Sequence, residues 1–211
     1  MEKILGYGVI LSFIFASFAL TILIKQSLSF GKKSLFAEPG GDWKKGVAYA
    51  FAKGMMPWEK ESARKHILTY LAGFLYHFGI FSGLIALFVS VFSIPIPPPL
   101  LLFLQILIGS GLICGAGLFI KRIFMGYMRQ ISCPDDFLAN IIVDAFLLFS
   151  FLNISAPGYR TVLYTSAILM FVYMPLGKIR HCIFFFYSRI LFGCFFGRRG
   201  VFPNKGPQIE S

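Results

Sequence analysis

Long apolar runs, separated by polar stretches of unequal length, dominate the chain. A helix needs about 20 apolar residues to cross the hydrocarbon core of a membrane. Five runs meet or approach that length and predict transmembrane helices over about residues 4–24, 67–92, 100–120, 137–152 and 159–187. Pro175 and a small basic cluster interrupt the fifth run. The pattern therefore predicts an all-α integral membrane protein built as a five-transmembrane-helix bundle.

The connections between these runs predict one membrane domain over residues 1–211. Residues 25–65 form a loop of roughly 40 residues, and loops of that length in compact proteins tend to be functional. Its apolar core, AYAFAKGMMPW, suits the membrane surface or a site under a partner subunit. SIPIPPP and ISAPGYR are short, stiff connections, and residues 188–211 form a tail. The tail sequence CIFFFYSRILFGCFFGRRGVF favours a surface helix that docks a partner, or membrane adhesion alone.

The distribution of charge predicts the orientation of the chain. Its composition is 57% hydrophobic and 14% charged, with a net charge of +11. Nine of the basic residues lie in the loop 25–65, three in residues 121–129 and six from Lys178 onward, which leaves Lys3 and Arg160 on the other side. Basic residues favour cytoplasmic segments, so we expect the N-terminus outside and the C-terminus cytoplasmic, in the cell's inner (cytoplasmic) membrane. The first helix lacks a cleavage site and is expected to be retained. Membrane lipid, rather than nucleic acid, is the expected partner of the excess charge.

Two histidines are candidate ligands of a b-type haem. In a helix centred near Ile80, His77 lies about 5 Å from the membrane midplane. If the fifth helix continues past Pro175 to Tyr187, His181 lies about 10 Å to the cytoplasmic side, at nearly the same depth. Imidazoles from two helices are a common axial pair for haem iron, and ligation removes the cost of an unpaired polar ring in hydrocarbon. His66 lies at the cytoplasmic edge, where contact with water is enough to accommodate a polar side chain.

The neighbours of these histidines suit the same cofactor, although each has a plainer explanation. Gly73, Gly79 and Gly83 leave room for the edge of a macrocycle, or they allow close packing of helices. Lys178 and Arg180 lie where they could contact haem propionates, or they act only to set the orientation of the chain in the membrane.

The remaining polar groups give weaker signals. Asp144 is the only carboxylate well inside a predicted helix, and it is either a proton relay or a neutral hydrogen-bonding group. Asp135 and Asp136 follow Pro134, where they would cap the fourth helix. The four cysteines form no Cys-x-x-Cys pair, so an iron–sulfur cluster or c-type haem in this chain is not expected. We expect these cysteines to pack within the helices.

Two motifs resemble those of a known family. LYHFGI, with His77, resembles the second-helix haem motif of the gamma subunit of respiratory nitrate reductase and its relatives, and YMPLGKIRHCIFFFYSRI, with His181, resembles their fifth-helix motif. LFIKRIF and ISCPDDFLANI are similar to the family's second cytoplasmic loop. GMMPWEKESARKH is similar to cytochrome b members partnered with heterodisulfide-reductase-like iron–sulfur subunits, which occur also in the transmembrane complexes of sulfate reducers.

The resemblance implies a function, and one departure from the family pattern limits it. Two-haem members carry further histidines where this chain has Leu87 and Leu163, so we expect a single haem b. The resemblance implies quinone or quinol as the lipid-soluble reactant, near the haem, and an iron–sulfur subunit as the cytoplasmic redox partner. The chain would then be the quinone-reactive subunit of an oxidoreductase complex. The main alternative is a haem-free membrane anchor; a small transporter or an independent enzyme has less support from the sequence.

Overall fold

The computed structural model describes residues 1–30 and 38–202, and every regular element among them is helical. Short 3₁₀ turns occur at Lys53–Met55, Pro57–Glu59, Pro157–Tyr159 and Lys178–Arg180. The α-helices of the described residues are α1 (Glu2–Ser29), α2 (Trp43–Phe51), α3 (Glu61–Lys65), α4 (Ile67–Phe92), α5 (Pro98–Phe124), α6 (Gly126–Gln130), α7 (Pro134–Ser155), α8 (Arg160–Tyr173) and α9 (His181–Arg198).

Five segments of the described chain are long and apolar enough to cross a membrane, as in a multi-pass membrane protein. They are Glu2–Ser29, Ile67–Phe92, Pro98–Phe124, Pro134–Ser155 and Lys178–Arg198. The second matches the predicted bounds 67–92, and the others extend a few residues beyond the predicted runs or are shifted along the chain.

Prolines explain where two of these helices begin. The fixed backbone angle of proline suits the first turn of a helix, where its missing N–H costs nothing. Accordingly, α5 begins at Pro98, directly after the rest of the SIPIPPP connection, and α7 begins at Pro134. Asp136 caps α7 as expected, because its carboxylate accepts a hydrogen bond from the Cys133 N–H at 2.9 Å.

The single fifth helix expected over residues 159–187 is wrong, because the structure has two helices there. α8 ends at Tyr173 and α9 begins at His181. Pro175 lacks an N–H and cannot continue the helix, and the N–H groups of Leu176 and Gly177 turn back to the Tyr173 carbonyl at 3.0 Å. With 14 residues, α8 is about 21 Å long and too short for a core of about 30 Å. Lys178–Arg198 takes its place among the five long apolar segments.

Contacts divide the chain into two compact units, where the sequence suggested one domain. The first, here called the bundle unit, comprises Met1–Leu20 and Leu68–Arg180. The second, the α2–α9 unit, comprises Thr21–Ile67 and the described residues from His181 onward. Although α8 is short, it supplies much of the bundle core, since Leu163 and Ala167 are fully buried and pack with Phe146 and Leu147 of α7.

Polar contacts join neighbouring helices at both ends of the bundle unit. At one end, Arg122 of α5 contacts Asp136 of α7 at 2.9 Å, and Lys178 contacts the same carboxylate at 2.6 Å. We call this the basic end. At the opposite end, Gln105 donates a hydrogen bond to Ser155 at 2.7 Å. These contacts show that α5 and α7 run in opposite directions.

The α2–α9 unit is held by glycines that bring two helices into backbone contact. A Cβ on Gly193 would lie 2.5 Å from the Val47 Cα, and one on Gly197 would lie 2.7 Å from the Gly46 Cα. The Gly193-x-x-x-Gly197 spacing puts both glycines on one face of α9. The apolar loop core and the aromatic tail, each expected to face a membrane surface or another subunit, therefore contact each other within this chain.

Candidate functional site

His77 lies near the middle of α4, on its outer face. Its ring is exposed, and Nδ1 lies 2.6 Å from the Gly73 carbonyl oxygen one helical turn earlier. Because a carbonyl only accepts, this contact selects the tautomer in which Nδ1 carries the proton. The lone pair is then on Nε2. A hydrogen bond from one ring nitrogen to a backbone carbonyl is the usual way in which proteins orient a histidine whose other nitrogen binds metal.

The surface next to His77 is open on this face of the helix. A Cβ placed on Gly73 would meet no other group within 4 Å, so the surface beside the imidazole is open. The aromatic rings of Phe74 and Phe78, both exposed, flank it along the helix. An oriented imidazole, an open glycine and apolar rings are the donor and surroundings that a haem would need from this helix.

Gly79 and Gly83, predicted as possible haem contacts, pack against other helices in the structure. A Cβ on Gly79 would lie 2.7 Å from the Cα of Gly111 in α5, and one on Gly83 would lie 3.0 Å from the Phe146 ring of α7. Both glycines are buried. Their environment is thus explained by close helix packing, the plainer of the two explanations that the sequence offered.

The two leucines that replace the additional histidines of two-haem relatives are core residues. Leu87 is 3% exposed and Leu163 is fully buried, and both belong to the hydrophobic cluster of the bundle unit. Their side chains fill positions in which the packing leaves almost no solvent-exposed surface.

His181 is the first residue of α9 and is exposed. It belongs to the α2–α9 unit, whereas His77 belongs to the bundle unit, so the pairing of the two imidazoles stays a prediction. The depth expected for His181 depends on a helix that continues past Pro175, but α8 ends at Tyr173. His66 follows α3 as its C-cap and is exposed, in keeping with a wetted position.

The two cations expected near haem propionates have different surroundings. Lys178 donates to Asp136 of α7, so a carboxylate of this chain already accompanies it. Arg180 is exposed at the end of the 3₁₀ turn. None of the four cysteines, all within the described residues, forms a disulfide. Cys133 and Cys182 are exposed, contrary to the expectation that all four pack within helices.

A second polar cluster lies inside the bundle unit, and the sequence pointed only to its carboxylate. Asn140 donates a hydrogen bond to Oδ2 of Asp144 at 2.7 Å, and its amide lies 3.4 Å from the Tyr76 hydroxyl. A Cβ on Gly115 would collide with both Oδ1 of Asp144 and the Tyr76 ring. Asn140 was recognisable from its four-residue spacing to Asp144, but Tyr76 and Gly115 come from other helices.

An apolar groove lies between α4 and α5, on the side of His77 away from the basic end. Its volume is about 550 Å³, and Phe78, the neighbour of His77, forms part of its wall. Pro95 and Pro97 of the α4–α5 connection also line the groove.

Comparison with known proteins adds no relative to this picture. No protein-family model, curated protein or solved structure matches the chain.

Proposed function

We propose that this chain is the haem b subunit of a respiratory membrane complex, passing electrons between quinone or quinol and an iron–sulfur partner. The observation that carries the proposal is the His77 imidazole, held through Nδ1 by the Gly73 carbonyl beside an open surface in a long apolar helix. A hydrogen bond from one ring nitrogen to a backbone carbonyl is the arrangement that proteins use to orient a histidine whose other nitrogen binds metal. The motif resemblance around His77 and His181 supports the same function.

In this proposal, His77 and His181 hold one haem b through their ring nitrogens. When bound, the haem supplies one-electron transfer, which a quinone can match in two successive steps. The Gly73 carbonyl keeps the His77 ring oriented and makes its other nitrogen a better ligand. Arg180, exposed directly before His181, is available to a propionate. Lys178 contributes less to binding a propionate, because it already forms an ion pair with Asp136.

The groove between α4 and α5 supports a quinone as the lipid-soluble reactant. It is apolar, it starts beside His77 at Phe78, and it is large enough for several isoprene units of a tail. Other residues of its wall are Phe81, Ile85, Leu100 and Leu107. A tail in this groove would bring the quinone head group near His77.

The positions of the charges support an inner-membrane orientation with the basic end at the cytoplasm. Lys121, Arg122 and Lys178 lie together at that end, whereas Arg160 at the opposite end is paired with Glu2 at 3.6 Å. Clustered Lys and Arg residues favour the cytoplasmic side. An iron–sulfur partner, similar to heterodisulfide-reductase subunits, would dock on that side.

Quinol-driven reduction of the haem tests the proposal. The protein is purified in detergent, and haem absorbance is followed after addition of a short-chain quinol and, separately, of dithionite. Ile85→Trp fills the groove, so quinol reduction should slow several-fold while dithionite reduction is unchanged. Ile113→Trp, at a 75% exposed position of α5 outside the groove, should behave like the wild type. A haem that dithionite reduces and no quinol reduces would overturn the quinone function.

A further inference from the structure

Asp144 has surroundings that suit a protonated acid rather than a carboxylate ion. It lies in the middle of α7, about 15 Å along the helix from Pro134. One oxygen accepts a hydrogen bond from Asn140, while the other, Oδ1, is buried beside the neutral phenol of Tyr76. No ion pair among the described residues includes Asp144. A charge at this depth without a cation is costly, and protonation removes that cost.

Three helices contribute neutral groups around the carboxyl. The phenol of Tyr76 comes from α4, the backbone at Gly115 comes from α5, and the amide of Asn140 comes from α7 itself. Lys121 is the nearest cation in sequence on α5, but it lies more than one turn beyond Gly115 and donates to Thr69. Gly115 is essential to the arrangement, because a side chain there would displace Asp144 and Tyr76.

Polar side chains lie along one face of α7 between this acid and one end of the bundle unit. Asp136, Asn140 and Asp144 are spaced by four residues and therefore share one face of α7. Asp136 is at the basic end, where its partners Arg122 and Lys178 are one-third and one-half exposed. The next position on this face toward the opposite end is Leu148, which is apolar. The polar line thus reaches the basic end and stops at Asp144.

We propose that Asp144 is an internal proton-binding site, which exchanges its proton with water at the basic end along the Asp136–Asn140 face of α7. The carboxylic acid O–H releases a proton and the carboxylate takes one up again, with no other bond made or broken. Such a site would serve a reaction that releases or consumes protons inside the membrane. The inference goes beyond the haem function and does not depend on it.

Infrared spectroscopy of the full chain in lipid vesicles tests this site without a redox measurement. At pH 7 we expect a C=O band of a protonated carboxylic acid that disappears in Asp144→Asn. On transfer to D₂O the band should shift as the proton exchanges. Asn140→Leu should slow that shift by about tenfold, because the net free energy of one ordinary hydrogen bond corresponds to a factor of about ten in rate. Asn153→Leu makes the same change in α7 near the opposite end and should leave the rate unchanged.

Three results would overturn the proposal. The first is that wild type and Asp144→Asn show the same acid bands, which would mean that Asp144 is ionised. The second is a band that does not shift in D₂O within hours, as for a sealed structural hydrogen bond. The third is equal exchange rates in Asn140→Leu and Asn153→Leu. The first two need only wild type and the conservative Asn variant, so the test survives if Asn140→Leu fails to fold.

Discussion

Gly197 of α9 lies so close to Gly46 of α2 that a Cβ on Gly197 would lie 2.7 Å from the Gly46 Cα. The Gly41 N–H next to α2 donates to the Arg198 carbonyl at 2.9 Å, which fixes the register of the two helices. Backbone contact of this kind is a common way of joining apolar helices. The α2–α9 unit therefore depends on the absence of side chains at these positions.

Substitution of Gly197 should loosen the α2–α9 unit. In Gly197→Leu, the new side chain meets backbone atoms that cannot rotate away, so we expect a loss of about 1–3 kcal/mol or more. Hydrogen exchange of residues 43–51 and 181–198, followed by mass spectrometry in detergent, should become faster. Gly117→Leu is the control, because a Cβ at Gly117 meets no other group within 4 Å. Equal exchange in the two variants would contradict the packing described here.

Gly177 and Tyr173 should show strong coupling in a double-mutant cycle. A Cβ on Gly177 would collide with the Tyr173 ring, whose hydroxyl donates to Asp135. Gly177→Ala should therefore lower stability, and the added loss should largely vanish in a Tyr173→Ala background, with a coupling of about 0.5–3 kcal/mol. Thermal unfolding of the four proteins in detergent measures it. Additive effects would mean that the ring does not occupy this position.

Loss of the Asp136 carboxylate should release the basic end of the bundle unit. Asp136→Asn removes the ion pairs with Arg122 and Lys178 and weakens the helix cap, and we expect a loss of about 1–3 kcal/mol. Thermal unfolding again gives the measurement. Glu61→Gln removes the exposed pair with Lys65 and should have little effect. If both variants unfold at the same temperature, the ion pairs of Asp136 do not stabilise the bundle unit.

Tyr49 should make the α2–α9 unit sensitive to alkali. Its pKa is raised, first by burial and then by Glu59, which accepts its hydrogen bond at 2.8 Å. The folded unit thus holds the phenolic proton more tightly than the unfolded chain does. The stabilisation is complete below the unfolded pKa of about 10 and is lost as pH rises through the folded value.

Proteolysis of the α2–α9 unit across the alkaline range measures this effect. Tyr49→Phe should show a smaller loss of protease resistance between neutral and alkaline pH than the wild type. Tyr127→Phe changes an exposed tyrosine of α6 and should keep the wild-type profile. Identical profiles for all three proteins would show that the Tyr49 proton has no influence.

Local sequence signals predicted much of the helical structure but not its tertiary contacts. The bounds of α4 were predictable because SIPIPPP follows Phe92 directly, and the start of α7 because Pro134 precedes an acidic first turn. The break after Tyr173 was less predictable, because Pro175 by itself is also compatible with a kinked helix. Gly177 allows the Tyr173 ring to fold across the turn. The GCFFG spacing of α9 was the available signal for its contact with α2, but it does not specify a partner.

The candidate site was predictable only in part for the same reason. His77 was identifiable as a polar residue in an apolar run, and its contact with Gly73 follows from helical spacing alone. That Gly79 faces Gly111, and that Tyr76 and Gly115 enclose Asp144, depends on contacts between helices. No pattern within a single segment specifies such contacts.

The central claim, that His77 and His181 bind one haem b, is tested most directly by absorption spectroscopy. Reduced-minus-oxidised spectra are recorded for the purified wild type, His77→Ala, His181→Ala and the control His66→Ala, together with haem extracted per chain. We predict one b-type haem in the wild type and His66→Ala, and loss or a marked change of the band in the other two variants. Absence of a b-type band in the wild type, as for a haem-free anchor, would contradict the account. So would an unchanged band in both the His77 and His181 variants, or two haems per chain.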